Sequence, residues 1–278
     1  MGTCIYCGQP AGVFGTKHSE CVQRHEDGKR EIVALIQRSL SPSTAIESVP
    51  DEVKKIGEKS FISEAERRVL VLEGWATAVG RSLLDGEGMV SEDEDKRLRR
   101  LADLMSLSQD ELNRSDAFTR LVKSAVIRDV LNGVIPHRLT VEYSLLINFQ
   151  KGEQLVWLFN PTGFLEDRIH HEYIGESSGL SLRVMKELYY RTGAFHGHSV
   201  DRTERIHVDT GLLAITNKNI YFSGEEKGFR IPYAKIVAFH PFDEGVGIIR
   251  DIANAKLQIF VTGDGWFTYN LVTNLARL

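Results

Sequence analysis

Three cysteines and one histidine lie near the start of the chain, and their side chains carry donor atoms suited to a metal ion. Cys4 and Cys7 form a Cys-x2-Cys pair, and ten residues later His18 and Cys21 form a His-x2-Cys pair. Structural Zn²⁺ sites take four nitrogen or sulfur ligands in a tetrahedron, and two close pairs can supply them. The spacing therefore predicts a zinc site made by these four residues.

The two pairs require different local structures. Gly8 directly follows the first pair, and glycine permits the tight backbone turn of a zinc knuckle. The second pair lies at the start of a helix predicted from Ser19 to about Leu40, in which residues three apart share a face. A knuckle followed by a helix-borne pair resembles treble-clef or zinc-ribbon fingers. The resemblance covers residues 1–40.

A disulfide and free buried thiols are the alternatives to zinc. The chain has three cysteines, an odd number. It has no signal-like apolar segment and no run long enough to span a membrane, so we expect a cytosolic, reducing environment. Four protein ligands leave no open position, which makes the expected zinc structural rather than catalytic. Structural zinc contributes about 10–16 kcal/mol to the folding of small fingers.

The zinc-finger head also carries residues that could contact nucleic acid, because cations neutralise phosphates and aromatic rings stack on bases. The net charge of the chain is −4, and only residues 1–40 hold more Lys and Arg (five) than Asp and Glu (four). A polyanion site would therefore be local. The interleaved acidic residues equally fit a solvated helix face. The predicted nucleic-acid contacts are Tyr6, Lys17, Arg24, Lys29 and Arg30, with Phe14 as an alternative ring.

Two common catalytic motifs are absent from the sequence. The chain lacks a phosphate-binding P-loop and a Gly-x-Ser-x-Gly nucleophile turn. If the protein is an enzyme, a metal-independent ribonuclease is the expected type, using a histidine as acid or base and cations at the phosphate. His25, beside Lys17, Arg24 and Lys29, is the candidate catalytic residue. A weaker candidate set is His196, His198 and Arg202.

The middle of the chain is predicted to be helical. Residues 41–62 are predicted as a linker, and residues 63–133 as a bundle in which apolar residues recur at helical spacing from Val69 to Leu83 and beyond. Asn132-Gly133 is a helix stop. Three Ser-x-x-Glu capping boxes mark helix starts, at Ser63, Ser91 and Ser108.

One loop of this bundle, Leu83–Glu94, partly matches a calcium-binding loop. Its matching positions are Asp85, Glu87, Gly88, Val90 and Glu94. Leu83 replaces the first ligand, which should weaken calcium binding severely, and a helix cap alone explains Glu94. The helix–loop–helix resembles TerB-like domains, bacterial modules linked to stress and tellurite resistance.

The sequence of residues 134–278 is typical of β-strands. Several strand-like segments are separated by Gly, Asp and Asn turns, and a final helix capped by Asp264 places Phe267, Leu271, Leu275 and Leu278 on one face. We expect a small antiparallel barrel closed by this helix. The predicted fold class is therefore α+β and multidomain: an N-terminal zinc finger, a helical bundle and a C-terminal β-barrel.

The segments LLAITNKNIYFSG and IPYAKIV resemble PH-like or GRAM-like domains. The segment from Lys235 to Leu275 resembles the tail of bacterial proteins that combine zinc ribbons, TerB-like segments and PH-like domains. Such bodies bind lipids, peptides or copies of themselves. A cluster of basic residues that binds anionic lipid is disfavoured, because Glu225 and Glu226 lie among the positive charges and offset them. A second metal site is also disfavoured, since no carboxylate is spaced with its candidate ligands: His170, His171, His196, His198 and His207.

Together these features predict a cytosolic bacterial zinc-finger protein of stress or phage defence. The finger is expected to contact nucleic acid, and the β-rich body to self-assemble or bind a protein partner. An assembly-activated ribonuclease is the first alternative, because some defence ribonucleases likewise combine a zinc finger with a self-assembling body. A lipid-binding adaptor is the second.

Overall fold

The computed structural model describes residues 2–12, 15–41, 44–139, 147–177, 180–185, 188–192 and 195–278, and the side chains of residues 168–203 lie outside that description. The chain divides into two compact units, Met1–Val134 and Ile135–Leu278, here called the N-terminal and the C-terminal unit. Helices dominate the first and antiparallel strands the second, which confirms the predicted α+β class.

The described part of the N-terminal unit contains a short metal-binding head, six α-helices and a 3-10 turn at Ile46–Ser48. The helices are α1 (Ser19–Arg38), α2 (Val49–Lys59), α3 (Glu64–Asp85), α4 (Glu92–Leu104), α5 (Gln109–Asn113) and α6 (Asp116–Leu131).

The three predicted capping boxes are confirmed. At the start of α3 the Ser63 hydroxyl oxygen accepts the Glu66 N–H, and the Glu66 carboxylate accepts the Ser63 N–H at 3.0 Å. Because each box joins residues three apart, the sequence alone is enough to place it. The other two boxes pair Ser91 with Glu94 at α4, and Ser108 with Glu111 at α5.

Four helices end in the same turn, the Schellman motif. At the end of α6 the Val134 N–H donates to the Asp129 carbonyl at 2.9 Å, and Gly133 between them has φ +75°. Glycine is the usual residue at this left-handed position because it has no Cβ. In α2, α3 and α4 the position is held by Phe61, Glu87 and Ser106, with φ of 56°, 52° and 50°.

The segment predicted as a linker, residues 41–62, is partly packed into the helical core. It contains the 3-10 turn and α2, and its residues Ile46, Val49 and Val53 are buried in the same core as α1 and α3. The Ser/Pro-rich start of the segment concealed a short amphipathic helix whose apolar side needs burial.

Helix α3 lies at the centre of this core. Trp75 is fully buried, and its indole N–H donates to the Leu98 carbonyl at 2.9 Å. At Gly74 a Cβ would stand 2.9 Å from the Cβ of Ile36, so glycine permits the close approach of α1. The predicted core residue Val69 is instead 63 % exposed, while Val71 is buried.

The C-terminal unit is built on a seven-stranded sheet with the order β6-β5-β4-β1-β9-β8-β7, in which the neighbouring strands are antiparallel. A two-stranded sheet, β2-β3, lies between β1 and β4 in the chain. The elements are β1 (Leu155–Ser177), β2 (Leu180–Met185), β3 (Leu188–Thr192), β4 (Phe195–Thr216), β5 (Asn219–Gly224), β6 (Gly228–Pro232), β7 (Ile236–Phe242), β8 (Gly245–Arg250), β9 (Gln258–Val261) and α7 (Gly265–Leu275).

The predicted closed barrel is wrong, because β6 and β7 are the two edges of an open sheet in the described residues. Only the 3-10 turn Tyr233–Lys235 joins these edges in the chain. Four Cα–Cα steps of about 3.8 Å cannot cross the roughly 29 Å that separates the outer strands of a flat seven-stranded sheet. The sheet is therefore strongly curved, but hydrogen bonds between its edges do not close it.

Aromatic side chains fill the inside of this curved sheet. Phe164, Phe222, Phe229 and Phe260 pack with ring centroids 5.1–6.2 Å apart. Helix α7 begins as predicted, with the Asp264 carboxylate accepting the Phe267 N–H at 3.0 Å. Its residues Phe267, Leu271 and Leu275 are buried, whereas Leu278 lies beyond the helix and is exposed.

Candidate metal centre

The first ligand pair lies in a short hairpin. The Gly8 N–H donates to the Cys4 carbonyl at 2.9 Å, the Cys4 N–H donates to the Gln9 carbonyl at 2.8 Å, and Thr3 and Pro10 form an antiparallel bridge. Gly8 has φ +71°, a value that glycine adopts without strain. This knuckle-like turn places Cys4 and Cys7 side by side.

The second pair lies at the start of α1. His18 is the N-cap residue and Cys21 lies in the first turn, so both face the same side. The Ile5 N–H donates to the Thr16 carbonyl at 3.0 Å and ties the hairpin to the segment that precedes the helix. As a result, the ligand atoms of Cys4, Cys7, His18 and Cys21 all lie within 4.8 Å of one another.

The imidazole of His18 is oriented for metal binding. Its Nε2–H donates to the Pro10 carbonyl at 3.0 Å, and its Nδ1 faces the sulfurs of Cys7 at 3.4 Å and Cys21 at 3.7 Å. Metal-binding histidines usually donate their second ring N–H to a carbonyl or carboxylate, which fixes the tautomer. Nδ1 is therefore the atom available to a metal.

The electrostatics of the cluster also fit a cation. Burial raises the pKa of the Cys4 thiol, but N–H donors of the surrounding backbone, at Cys7 and His18 among others, outweigh it and lower that pKa to about 6. Burial and the neighbouring sulfurs raise the pKa of Cys21 to about 11. These pKa shifts favour the thiolate form of Cys4 and oppose the thiolate form of Cys21. A bound divalent cation removes that opposition, because metal-bound thiols lose their protons.

The pKa of His18 is raised, chiefly by its hydrogen bond to the Pro10 carbonyl and then by the Cys7 sulfur. Protonation of Nδ1 would compete with a metal for the same lone pair. Metal binding at this cluster is therefore expected to weaken in acid, as for other thiolate and imidazole sites.

His25 lies next to the head and is buried, with 4 % of its surface exposed. Its Nδ1–H donates to the Ser60 carbonyl at 3.1 Å, its Nε2 is 3.6 Å from the Glu66 carboxylate, and the Tyr6 ring packs on it with centroids 4.7 Å apart. These contacts join the head to α1 and to the turn between α2 and α3. The catalytic role of His25 stays a prediction, and its burial gives that role no support.

The predicted nucleic-acid residues fall into two groups. Lys29 pairs with Glu26 at 3.1 Å and Arg30 pairs with Asp27, in both cases within one turn of α1. Lys17 and Arg24 instead lie over the rings of Tyr6 and Phe61. Phe14 lies outside the described residues. Sequence reasoning missed Phe61, because nothing in the pattern of residues 41–62 placed that turn beside the finger.

The loop from Leu83 to Glu94 holds no such cluster. Asp85 pairs with Arg81 at 3.8 Å, and the Glu94 carboxylate is used by Ser91 in the capping box. The Val90 N–H donates to the Ser124 hydroxyl at 2.7 Å. These contacts account for the loop as a turn and a helix cap.

Other predicted sites lie in the C-terminal unit. The side chains of His170, His171, His196, His198 and Arg202 lie outside the described residues. The His207 ring Nε2 lies 2.9 Å from the Thr210 hydroxyl oxygen. Across the side chains that the structure describes, the head contains the only group of three or more Cys, His, Asp or Glu residues arranged to hold a metal ion.

Comparison with known proteins assigns no family. A scan against models of protein families finds no match. A search of curated proteins finds no matching sequence either. Within the described residues, no helix is both long and apolar enough to cross a membrane.

Proposed function

We propose that the N-terminal unit is a zinc-finger head that contacts nucleic acid, and that the C-terminal unit binds a protein partner or self-assembles. The observation that carries the proposal is the convergence of Cys4, Cys7, His18 and Cys21 within 4.8 Å. Three sulfurs and one imidazole nitrogen are a donor set that suits Zn²⁺. A knuckle pair followed by a helix-borne pair supports a finger of the treble-clef or ribbon type.

The zinc is structural in this proposal. Four protein ligands complete a tetrahedral shell, so no position is left for a substrate or an activated water. Its role is to hold the hairpin of residues 2–12 against the start of α1. The hairpin in turn presents Tyr6 beside the α2–α3 turn.

Metal analysis of the purified full chain tests the zinc site. We expect one zinc per chain, and we expect its loss in Cys7→Ser and His18→Asn. His240→Asn is the matched control, because His240 is exposed and belongs to the other unit. Zinc retained by Cys7→Ser and His18→Asn at the parent level would exclude the site.

A nucleic-acid role is supported by the cations and rings that the head exposes. Binding of labelled RNA and DNA to the zinc-loaded chain tests it directly. We expect binding that falls with rising salt, because phosphate contacts release counterions. We also expect it to fall when a chelator removes the metal. Absence of binding to any nucleic acid at low salt would exclude this role.

A partner-binding role of the C-terminal unit is supported by its two open sheet edges. The edge strand β7 carries Val237, which is 66 % exposed. Edges of this kind offer unpaired backbone groups to another strand. Light scattering of the full chain measures self-assembly, and Val237→Lys should lower it if β7 is the contact. A strictly monomeric chain would leave a different protein as the partner.

The ribonuclease alternative stays a prediction, and so does the lipid-binding one. Incubation of RNA with the chain, alone and in its assembled form, tests the first, with His25→Ala and the double variant Cys4→Ser/Cys7→Ser as comparisons. Flotation with anionic vesicles tests the second. The role in bacterial stress or phage defence rests on family resemblance.

A further inference from the structure

Two exposed cations of the head lie over two neighbouring aromatic rings. Lys17 Nζ is 5.8 Å from the centroid of the Tyr6 ring, and the guanidinium carbon of Arg24 is 5.8 Å from the centroid of Phe61. The two ring centroids are 6.3 Å apart. Tyr6 lies in the hairpin, Lys17 lies just before α1, Arg24 lies in α1, and Phe61 lies in the α2–α3 turn. We call them the cation–ring site.

No carboxylate among the described residues pairs with the two cations of this site. Lys17 and Arg24 form no ion pair with any described residue, whereas Lys29 and Arg30 are paired with acidic residues one turn away on α1. A cation over a ring keeps its full charge and remains available to an anion. Of the three cations in residues 1–40 without an ion pair among the described residues, Lys17 and Arg24 lie over Tyr6 and Phe61, and Arg38 lies in the last turn of α1.

Phe61 occupies a position where a bulky residue is unusual. It lies at the end of α2 in the left-handed conformation, with φ 56°, and the next residue, Ile62, donates its N–H to the Gly57 carbonyl at 2.9 Å. The same motif has glycine at the end of α6 and the polar residues Glu87 and Ser106 at the ends of α3 and α4, so Phe61 is the one large apolar side chain at this position among the four. Local stability alone would favour glycine in α2 as well. The strained position keeps the Phe61 ring half-buried beside Tyr6, while Ile62 is buried in the core.

We propose that the cation–ring site binds a single-stranded segment of nucleic acid. Lys17 and Arg24 contact phosphates, and an unpaired base stacks on the Arg24 guanidinium plane or the open part of the Phe61 ring. A duplex keeps its bases stacked inside and cannot offer one to the ring. This inference rests on the proposed contact with nucleic acid. It adds that the bound nucleic acid is single-stranded and that Phe61 takes part in binding it.

Fluorescence anisotropy with the zinc-loaded full chain tests the site. The probes are a labelled single-stranded RNA of mixed sequence and the same RNA as a duplex. We expect the single strand to bind about tenfold more tightly, in line with the gain from stacking one base. Arg24→Gln should weaken single-strand binding about tenfold and reduce the salt slope by about 0.7.

Arg38→Gln is the matched control for Arg24→Gln. It removes the same charge from the same helix, but Arg38 is exposed in the last turn of α1, about 21 Å along the helix from Arg24. We therefore expect its affinity for RNA to stay within about twofold of the parent. Equal losses in the two variants would show diffuse attraction to the helix and would overturn the site.

Phe61 is tested by two substitutions with opposite expectations. Phe61→Tyr keeps a ring and should keep binding. Phe61→Gly restores the residue preferred at the helix end, so the variant should fold and retain zinc while it loses about tenfold in affinity. Unchanged binding by Phe61→Gly would overturn the stacking role.

Two further outcomes separate this inference from the proposed function. If the parent binds RNA but prefers the duplex, or if polyglutamate competes as well as RNA does, the head still binds a polyanion but the single-strand site is wrong. If the parent binds no nucleic acid, both the site and the proposed function fail.

Discussion

The two units of this protein are stabilised in different ways. The C-terminal unit depends on a continuous antiparallel ladder and on aromatic rings that pack inside its curved sheet. The N-terminal unit combines an apolar helical core with a head in which four polar ligand side chains converge. A small hairpin such as residues 2–12 cannot bury enough apolar surface to stay ordered alone. Among the described residues, only the N-terminal unit has a cluster that could hold a metal ion, and we expect the order of its hairpin to depend on that ion.

Removal of a metal ligand should have the largest effect and should affect one unit only. In Cys7→Ser we expect loss of zinc and of ordered structure in residues 2–18, because structural zinc sites fold together with their metal. The packing of Tyr6 on His25 should be lost with it.

Hydrogen exchange measures this effect segment by segment. Amides of the hairpin and the first turn of α1 should lose protection, while those of β4, β5 and β9 keep it. The same result should follow from treatment of the parent with a chelator. Equal loss of protection in both units would contradict the contrast between them.

Truncation of a core ring in the C-terminal unit should produce the opposite pattern. Phe260 is fully buried and packs against Phe164 and Phe222. We expect Phe260→Ala to cost about 3–5 kcal/mol in the free energy of unfolding, through lost burial and a cavity. Denaturant unfolding measures the cost.

The zinc content of Phe260→Ala is the control. It should equal that of the parent, because the cluster of candidate metal ligands lies in the N-terminal unit. Loss of zinc together with the C-terminal fold would show that the order of the head depends on the C-terminal unit. That result would contradict the contrast between the two units.

The smallest expected effect is a dependence on acid in the N-terminal unit. The Arg68 guanidinium, then the Ser108 backbone and hydroxyl, lower the pKa of Glu111 from 4.5 to about 2. A carboxyl group whose pKa falls on folding stabilises the fold above its unfolded pKa. That contribution is lost as the pH drops from about 4.5 towards 2.

Denaturant unfolding at several pH values tests this, with Glu111→Gln as the comparison. The parent should lose more stability than Glu111→Gln across that range, since glutamine does not titrate. Parallel losses in the two proteins would show that other groups, such as the metal ligands, cause the whole acid effect.

Features set by local spacing could be predicted from the sequence. The four ligands, three capping boxes, the cap at Asp264 and the stop at Gly133 each depend on residues a few positions apart, whose geometry a turn or helix fixes. The span of α1 was predicted for the same reason. Helical spacing was less reliable for the core of α3, where Val69 is exposed, since the partners of a helix decide which side is buried.

Features that depend on distant contacts could not be predicted. The burial of His25 requires Ser60, which lies 35 residues further along the chain. The open sheet depends on which strands meet at its edges, and period-two alternation is the same in an open sheet and in a barrel.

The sequence by itself determined a candidate metal-ligand set, several helix ends and an α+β composition, because each is encoded in neighbouring residues. Only the tertiary structure decided which cations of residues 1–40 lie over aromatic rings. Lys29 and Arg30 find acidic partners on their own helix, whereas Lys17 and Arg24 meet rings, one of them on a turn that the fold brings from residue 61. Each of these two pairs of cations consists of one lysine and one arginine and carries the same charge. Whether that charge is paired with a carboxylate decides where an anion can bind.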